Sequence, residues 1–153
     1  MTKLNCKKLV LIQLFGVLHC VEEYFFGFSA WATEHFGTTT QKYYLISHLF
    51  IALIAAIIFI YAYRGYKLGI FFALVVQAVI FTNGLFHIFA TVFWREYSPG
   101  MSAQILIIPI TYLVFKKIYQ SNIFSRSQIV YALLTGCVVS ALIILSLFLD
   151  VRV

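Results

Sequence analysis

Charge is what this sequence has least of. Of its 153 residues only 10% are Asp, Glu, Lys or Arg and 63% are hydrophobic, against about 25% and about 45–50% in soluble domains. That shortage excludes a water-soluble globule, because too few polar side chains exist to cover a wet surface. Acid is scarcer than base: five Asp and Glu stand against eleven Lys and Arg, for a net charge of +6. A nucleic-acid partner would need those cations gathered on one soluble face. They lie instead in short clusters between apolar runs, as membrane topology requires, so no nucleic-acid partner is expected. Cysteine is scarce, scattered and odd in number, which excludes a disulfide framework. Cys20 and Cys137 sit within apolar runs and read as small buried hydrophobes, with Cys6 apart from both. No linker, repeat or low-complexity stretch divides the chain, so 1–153 reads as a single transmembrane domain.

What is present in quantity is apolar run. A hydrocarbon core about 30 Å thick needs ~20 apolar residues of helix, and five stretches answer: 9–29, 43–63, 68–92, 99–115 and 128–149. Lys3, Lys7 and Lys8 before the first resemble a signal peptide. Val17, Leu18 and His19, however, are not the small residues a cleavage site needs, so the first span reads as retained. The fourth stretch is short and holds Pro109, which removes a backbone donor and is expected to kink it. Ser98 stands ready to cap that helix with Pro99 at its first position.

Lys3, Lys7, Lys8, Arg64, Lys67, Lys116, Lys117 and Arg126 fall on one side of a five-span chain, and Lys42, Arg95 and Arg152 on the other. The positive-inside rule then places the N-terminus in the cytoplasm and the C-terminus outside. Trp31, Trp94 and Tyr97 near the outer span ends suit the interfacial aromatic belt. The expected fold class is all-α, a polytopic bundle of five transmembrane helices.

Within this oily chain the stretch LHCVEEYFFG, residues 18–27, carries His19, Glu22 and Glu23. At ~100° per residue the two glutamates lie about 60° and 40° either side of His19, on one helix face. Gly16, Cys20 and Gly27 lie near the Glu23 side, where small residues admit a neighbouring helix. His48 shares a face with Ala52 and Ala55, while Asn83 and His87 are four apart and stacked. At ~1.5 Å per residue, Glu22 and Glu23 rise about 21–23 Å above Lys8, His48 about 24 Å above Arg64, and Asn83 about 24 Å above Lys67. Three spans thus bring polar groups to one layer in the outer half of the membrane, with His87 a turn higher. A carboxylate near the bilayer centre costs on the order of 2.5–3.5 kcal/mol, and two adjacent ones repel. No intramembrane Lys or Arg offsets them, so a divalent metal held by His19, Glu22, Glu23, His48 and His87 is the simplest counter-charge, zinc ahead of iron. The bland alternative is interhelical hydrogen bonding, and it is the stronger reading for His48 or Asn83 taken alone. Glu34 and His35 fall in the first outer loop, as solvated residues able to cover the mouth of a site.

Three strings then stand in order: His19-Cys-Val-Glu22-Glu23 as H-x-x-E-E, Asn83-Gly-Leu-Phe-His87 as N-x-x-x-H, and Tyr97-Ser-Pro99-Gly100 as Y-x-P-G. Together they resemble the HXXEE-motif family of prokaryotic integral membrane proteins. The resemblance implies residence in a bacterial or archaeal cytoplasmic membrane and motif residues that act together, but supplies no reaction. Membrane-embedded CAAX-type proteases also pair glutamates on one helix with histidines on others. Their Arg at the fourth position after the second Glu is Gly27 here, and Ala52 breaks their histidine-to-asparagine spacing after His48. That comparison is a chemical analogy.

Three functions follow from the site. The leading one is a metal-dependent hydrolase acting on a lipid or other apolar small molecule at the outer leaflet. Histidines and one glutamate bind the ion, the other glutamate is general base, Asn83 orients the substrate and Tyr97 stabilises developing charge. An iron-dependent oxidoreductase is its variant. The second is a proton or ion translocator, opposed by a cytoplasmic half with little beyond Gln13, Gln77 and Thr111. The third is a binding or accessory protein whose polar cluster only specifies helix packing; a homo-oligomer is compatible with all three.

Overall fold

In the computed structural model, which describes residues 7–37 and 41–148, every regular element is an α-helix. They run α1 (Lys7–Phe25), α2 (Phe28–Phe36), α3 (Gln41–Tyr63), α4 (Lys67–Trp94), α5 (Gln104–Ser121) and α6 (Arg126–Phe148). No strand occurs among the described residues. Lys3, Cys6 and Arg152 lie outside them.

The breaks between helices have local causes. Gly27 takes φ +76°, a left-handed conformation that ends α1, and its carbonyl accepts from the N–H groups of Ala30 and Trp31 as α2 begins. Gly27 therefore redirects the chain and does not admit a neighbouring helix, since nothing lies within 4 Å of where its Cβ would be. Ser125 and Gln128 form a reciprocal capping box at the head of α6: Gln128 N–H donates to Ser125 Oγ at 3.2 Å, and Ser125 N–H donates to Gln128 Oε1 at 3.0 Å.

Five spans are expected from the sequence; three described helices are long and apolar enough to cross a membrane, Tyr44–Tyr63, Lys67–Trp94 and Arg126–Ser146. In α1, lysines at 7 and 8 and glutamates at 22 and 23 confine the uncharged part to Leu9–Val21. In α5, the chain stays in turns from Pro99 to Ala103, and Lys116 and Lys117 follow the apolar part Ile105–Phe115. Each uncharged stretch is well under the ~20 residues a span needs. Both helices are short for the task because their ends do polar work. The expected Ser98 cap is also replaced: α5 starts at Gln104 behind Ala103, with no side-chain cap.

Helix α4 is the axis of the fold, packed against α3, α5 and α6, while α1 packs on α3 and α5. Its buried face includes Gly69, Ala73, Leu74, Gln77, Ala78, Gly84, His87 and Ala90. Small residues permit close approach, which in a membrane supplies dispersion contact and not water release. At Gly136 of α6 a Cβ would stand 2.4 Å from Ala78 Cβ and 2.7 Å from the Val75 carbonyl oxygen. The outward faces of α3 and α6 are apolar and bare, with Leu49 70% and Leu142 61% exposed. Patches of that extent are tolerated where lipid covers them. The chain is thus helical and membrane-associated.

Two apolar clusters form. One gathers Ala55, Phe59, Ala62, Ile70, Leu74, Val114, Ile118, Phe124 and Ala132 where α3 turns into α4 and α5 into α6. The other gathers Phe28, Trp31, Ala32, Tyr44 and Ala90 at the opposite end. The polar residues of α1, α3 and α4 lie beside the second cluster.

Candidate metal centre

Glu23 is the hub of the site. Its carboxylate is almost wholly buried, at 2% exposure, and among the described residues its ion-pair partners are histidines, with no Lys or Arg. Oε1 lies 3.3 Å from His19 Nε2 and 3.0 Å from His87 Nε2; Oε2 lies 3.2 Å from His48 Nε2. Tyr44 completes the shell, its hydroxyl donating to Oε2 at 3.0 Å. Three helices therefore aim the same ring atom of three histidines at one carboxylate.

The far side of each ring is held. His19 Nδ1–H donates to the Gly100 carbonyl oxygen at 3.1 Å and His48 Nδ1–H to the Tyr44 carbonyl oxygen at 2.9 Å, while His87 Nδ1 shares a hydrogen bond with Ser98 Oγ at 2.9 Å. A donor committed at Nδ1 leaves Nε2 with its lone pair in the neutral ring. Asn83 agrees with that tautomer, its amide nitrogen donating towards His19 Nε2 at 2.8 Å and His87 Nε2 at 3.3 Å. Imidazole lone pairs facing a carboxylate repel, and one Asn83 amide cannot offset them all, so the arrangement calls for positive charge between them. Either a proton or a metal ion supplies it. Anchored Nδ1–H groups behind converging Nε2 atoms are the outer-shell pattern of histidines that bind metals. His19, Glu23 and His87 each offer a ligand atom, all within 4.8 Å of one another, and Cys20, Glu23 and His48 form a second such group.

The segment 97–104 does the holding, and the Y-x-P-G string acquires a reason at each polar position. Ser98 is fully buried between His87 and Thr91, its N–H donating to Thr91 Oγ1 at 3.1 Å. Gly100 has φ +104°, and a Cβ there would fall 2.6 Å from His19 Cε1 and 3.0 Å from Glu23 Cγ. Only glycine both takes that conformation and lets the backbone carbonyl reach the imidazole. Gln104, at 1% exposure, also donates to the Gly100 carbonyl, at 3.3 Å. Its amide fills the space where a Gly84 Cβ would stand, 1.9 Å from Gln104 Oε1.

Glu22 occupies a different environment. Its carboxylate accepts from Tyr97 Oη, from Ser102 N–H at 3.0 Å and Oγ at 2.6 Å, and from Ala103 N–H at 2.8 Å. Those backbone donors lie at the entry to α5, which lacks a cap of its own, so Glu22 caps it from another helix and meets the positive end of its dipole. Tyr97 lies outside the helices; partial burial, then the adjacent Glu22 carboxylate, push its hydroxyl pKa above the ordinary value.

Of the residues singled out in the sequence, the structure brings His19, Glu23, His48, Asn83 and His87 into one cluster, and sets Glu22 and Tyr97 together beside it. Glu34 and His35, read as loop residues, lie on helix α2. His35 is mostly covered, pairing through Nε2 with Glu96, to which Trp31 Nε1–H also donates. Tyr44, Ser98, Ser102 and Gln104 were not anticipated as partners of the motif residues. Tyr44 alone had a signal, sitting one turn before His48 on the same face.

No curated protein and no solved structure matches this chain. A family model described as "Protein of unknown function with HXXEE motif" matches residues 10–114, a segment that contains every residue of the cluster and most of α5. The chain belongs to the HXXEE family.

Proposed function

We propose that the cluster around Glu23 binds a divalent metal and that the chain is a membrane-embedded metal-dependent enzyme, hydrolysing a lipid or another apolar substrate at the outer leaflet. The observation that carries this reading is the convergence of three Nδ1-anchored histidines on one buried carboxylate. His19, His87 and Glu23 are the ligands, with His48 on the other carboxylate oxygen. Two or three imidazoles and a carboxylate suit zinc more than magnesium or calcium, and suit iron next. A bound zinc ion would supply a nucleophilic water at neutral pH. Asn83 then orients the water or a substrate carbonyl. Glu22 and Tyr97 act at one remove: by holding the turn into α5 they hold Ser98 and Gly100, and through them the two ligand rings.

Metal analysis of the purified protein against His19→Ala tests the reading, followed by hydrolysis of a fluorogenic lipid ester with and without chelator. Stoichiometric metal in the wild type, lost in the variant, is expected. A wild-type protein that binds no metal from zinc- and iron-supplemented buffer would overturn it.

One observation favours a second reading, proton movement. Gln77 Nε2 donates to Thr111 Oγ1 at 2.6 Å between α4 and α5, extending buried polar groups beyond the cluster, and Gln77 Oε1 has no protein partner. Proton flux in proteoliposomes that vanishes in Glu23→Gln, in a protein holding no metal, would select it.

A further inference from the structure

The Glu23 carboxylate has two faces, and the second carries a donor set of its own. Oε1 meets His19 and His87, whereas Oε2 meets His48 Nε2 at 3.2 Å. Cys20, one turn before Glu23 on α1, completes that side. Its Sγ, a Glu23 oxygen and a His48 ring nitrogen lie within 4.8 Å of one another. Cys20 is free, and Tyr44 pins the local backbone by contacting the Cys20 carbonyl oxygen at 3.3 Å and Glu23 Oε2 at 3.0 Å through one hydroxyl. The His48 Nδ1–H donates to the Tyr44 carbonyl, so its Nε2 lone pair is the atom turned towards Cys20 and Glu23.

We infer that Glu23 bridges two metal positions, the second held by Cys20 Sγ, His48 Nε2 and Glu23 Oε2. This rests on the metal reading of the first position and adds to it. The two positions differ in chemistry and access. The first is all nitrogen and oxygen and closed, with the His87 side chain 0% exposed; the second contains sulfur and reaches the molecular surface, with the His48 side chain 30% exposed. A thiolate selects zinc or another soft or borderline ion and rejects magnesium, calcium and manganese. On binding, the Cys20 thiol proton leaves to solvent as the sulfur–metal bond forms. A carboxylate offering one oxygen to each ion would let the pair supply two-metal chemistry, in which one ion steadies the attacking oxygen and the other the leaving one. The exposed side is then where an apolar substrate would arrive.

Cobalt is the probe, because its thiolate complexes absorb in the near ultraviolet and its nitrogen and oxygen complexes do not. The full chain in detergent is loaded with cobalt and its metal content measured. Wild type is expected to hold two ions per chain and to show the sulfur-to-cobalt band. Cys20→Ser should lose the band and one ion of two, His48→Gln should lose the same ion, and Cys137→Ser should change neither. His87→Gln should lose one ion while keeping the band. Wild-type protein that binds one cobalt without the band would overturn the second position and leave the first standing. Protein that binds no cobalt would overturn both. A band that survives Cys20→Ser would also overturn the inference. Helicity and elution volume of each variant, unchanged from wild type, establish that a lost ion reports lost ligands.

Discussion

At the end of the bundle where α3 turns into α4 and α5 into α6, the helices meet through small and aliphatic side chains. Ala62, Ile70, Leu74, Ile118 and Ala132 are nearly or wholly buried there, Gly69 and Gly136 let backbones touch, and Lys67 lies 5.5 Å over the Phe124 ring. At the other end α1, α3, α4 and α5 meet through a carboxylate, three histidines, an asparagine, a tyrosine and a glutamine, most of them buried. The apolar end tolerates small slips, because dispersion contacts are numerous and individually weak. The polar end does not, because each bond is directional and each lost partner leaves a buried group unsatisfied. One end is built to hold the fold together, the other to hold atoms at fixed positions, and substitutions should separate the two properties.

The largest separation is expected from Glu23→Gln, which keeps the shape of the hub and removes its charge. Bound metal should fall from stoichiometric to negligible by elemental analysis, with helicity retained. Loss of the helical fold together with the metal would make the hub structural and collapse the distinction between the ends.

Gly100→Ala comes next. The backbone strain is on the order of 1–3 kcal/mol, and the new Cβ presses on His19, so zinc affinity should drop by more than tenfold in competition titrations. Ser98→Ala leaves the buried His87 Nδ1 without its partner, and loss of such an outer-shell bond costs roughly 10–100-fold in metal affinity. Calorimetric titration should show that loss, with the metal-free protein destabilised by about 1–3 kcal/mol for the one unsatisfied group.

Gly136→Leu is the converse test at the apolar end. Overpacking against Ala78 and Val75 should cost about 1–3 kcal/mol of stability, seen as a lower Tm in detergent, while the folded fraction binds metal as wild type does. Smallest of all in its effect on metal, Trp31→Phe removes one bond to the partly exposed Glu96 and leaves a small gap in the buried aromatic cluster, which should cost on the order of 1–2 kcal/mol of stability with metal content unchanged. A large loss of metal in Trp31→Phe would mean that α2 is part of the site and not only its cover.

Much of the candidate site was legible beforehand because helical periodicity converts spacing into position. Asn83 and His87 had to stack, and His19 and Glu23, four apart, had to share a face. Depth counted from the cationic ends brought His48 to the same layer. Spacing could not distinguish Glu22 from Glu23. Their 100° separation sends one carboxylate to the head of α5 and the other into the histidines, and only the place where α5 begins decides which is which. The count of spans failed for a related reason. Hydropathy registers that α1 and α5 are oily, but their charged and turn residues are consumed at the helix ends, so the apolar lengths fall short. Helix α2 escaped notice because Gly27 breaks a run that looks continuous in composition.

By itself the sequence determined the class of the molecule, since a chain with so few charges must be covered by lipid. It also determined which helix faces carry the polar groups, since periodicity is a local property. The tertiary structure alone decided that His19 and His87 present Nε2 and not Nδ1 to Glu23, whereas His48 is turned by the Tyr44 carbonyl of its own helix. For the first two the choice depends on partners from distant segments, the carbonyl of Gly100 and the hydroxyl of Ser98, which local periodicity cannot place.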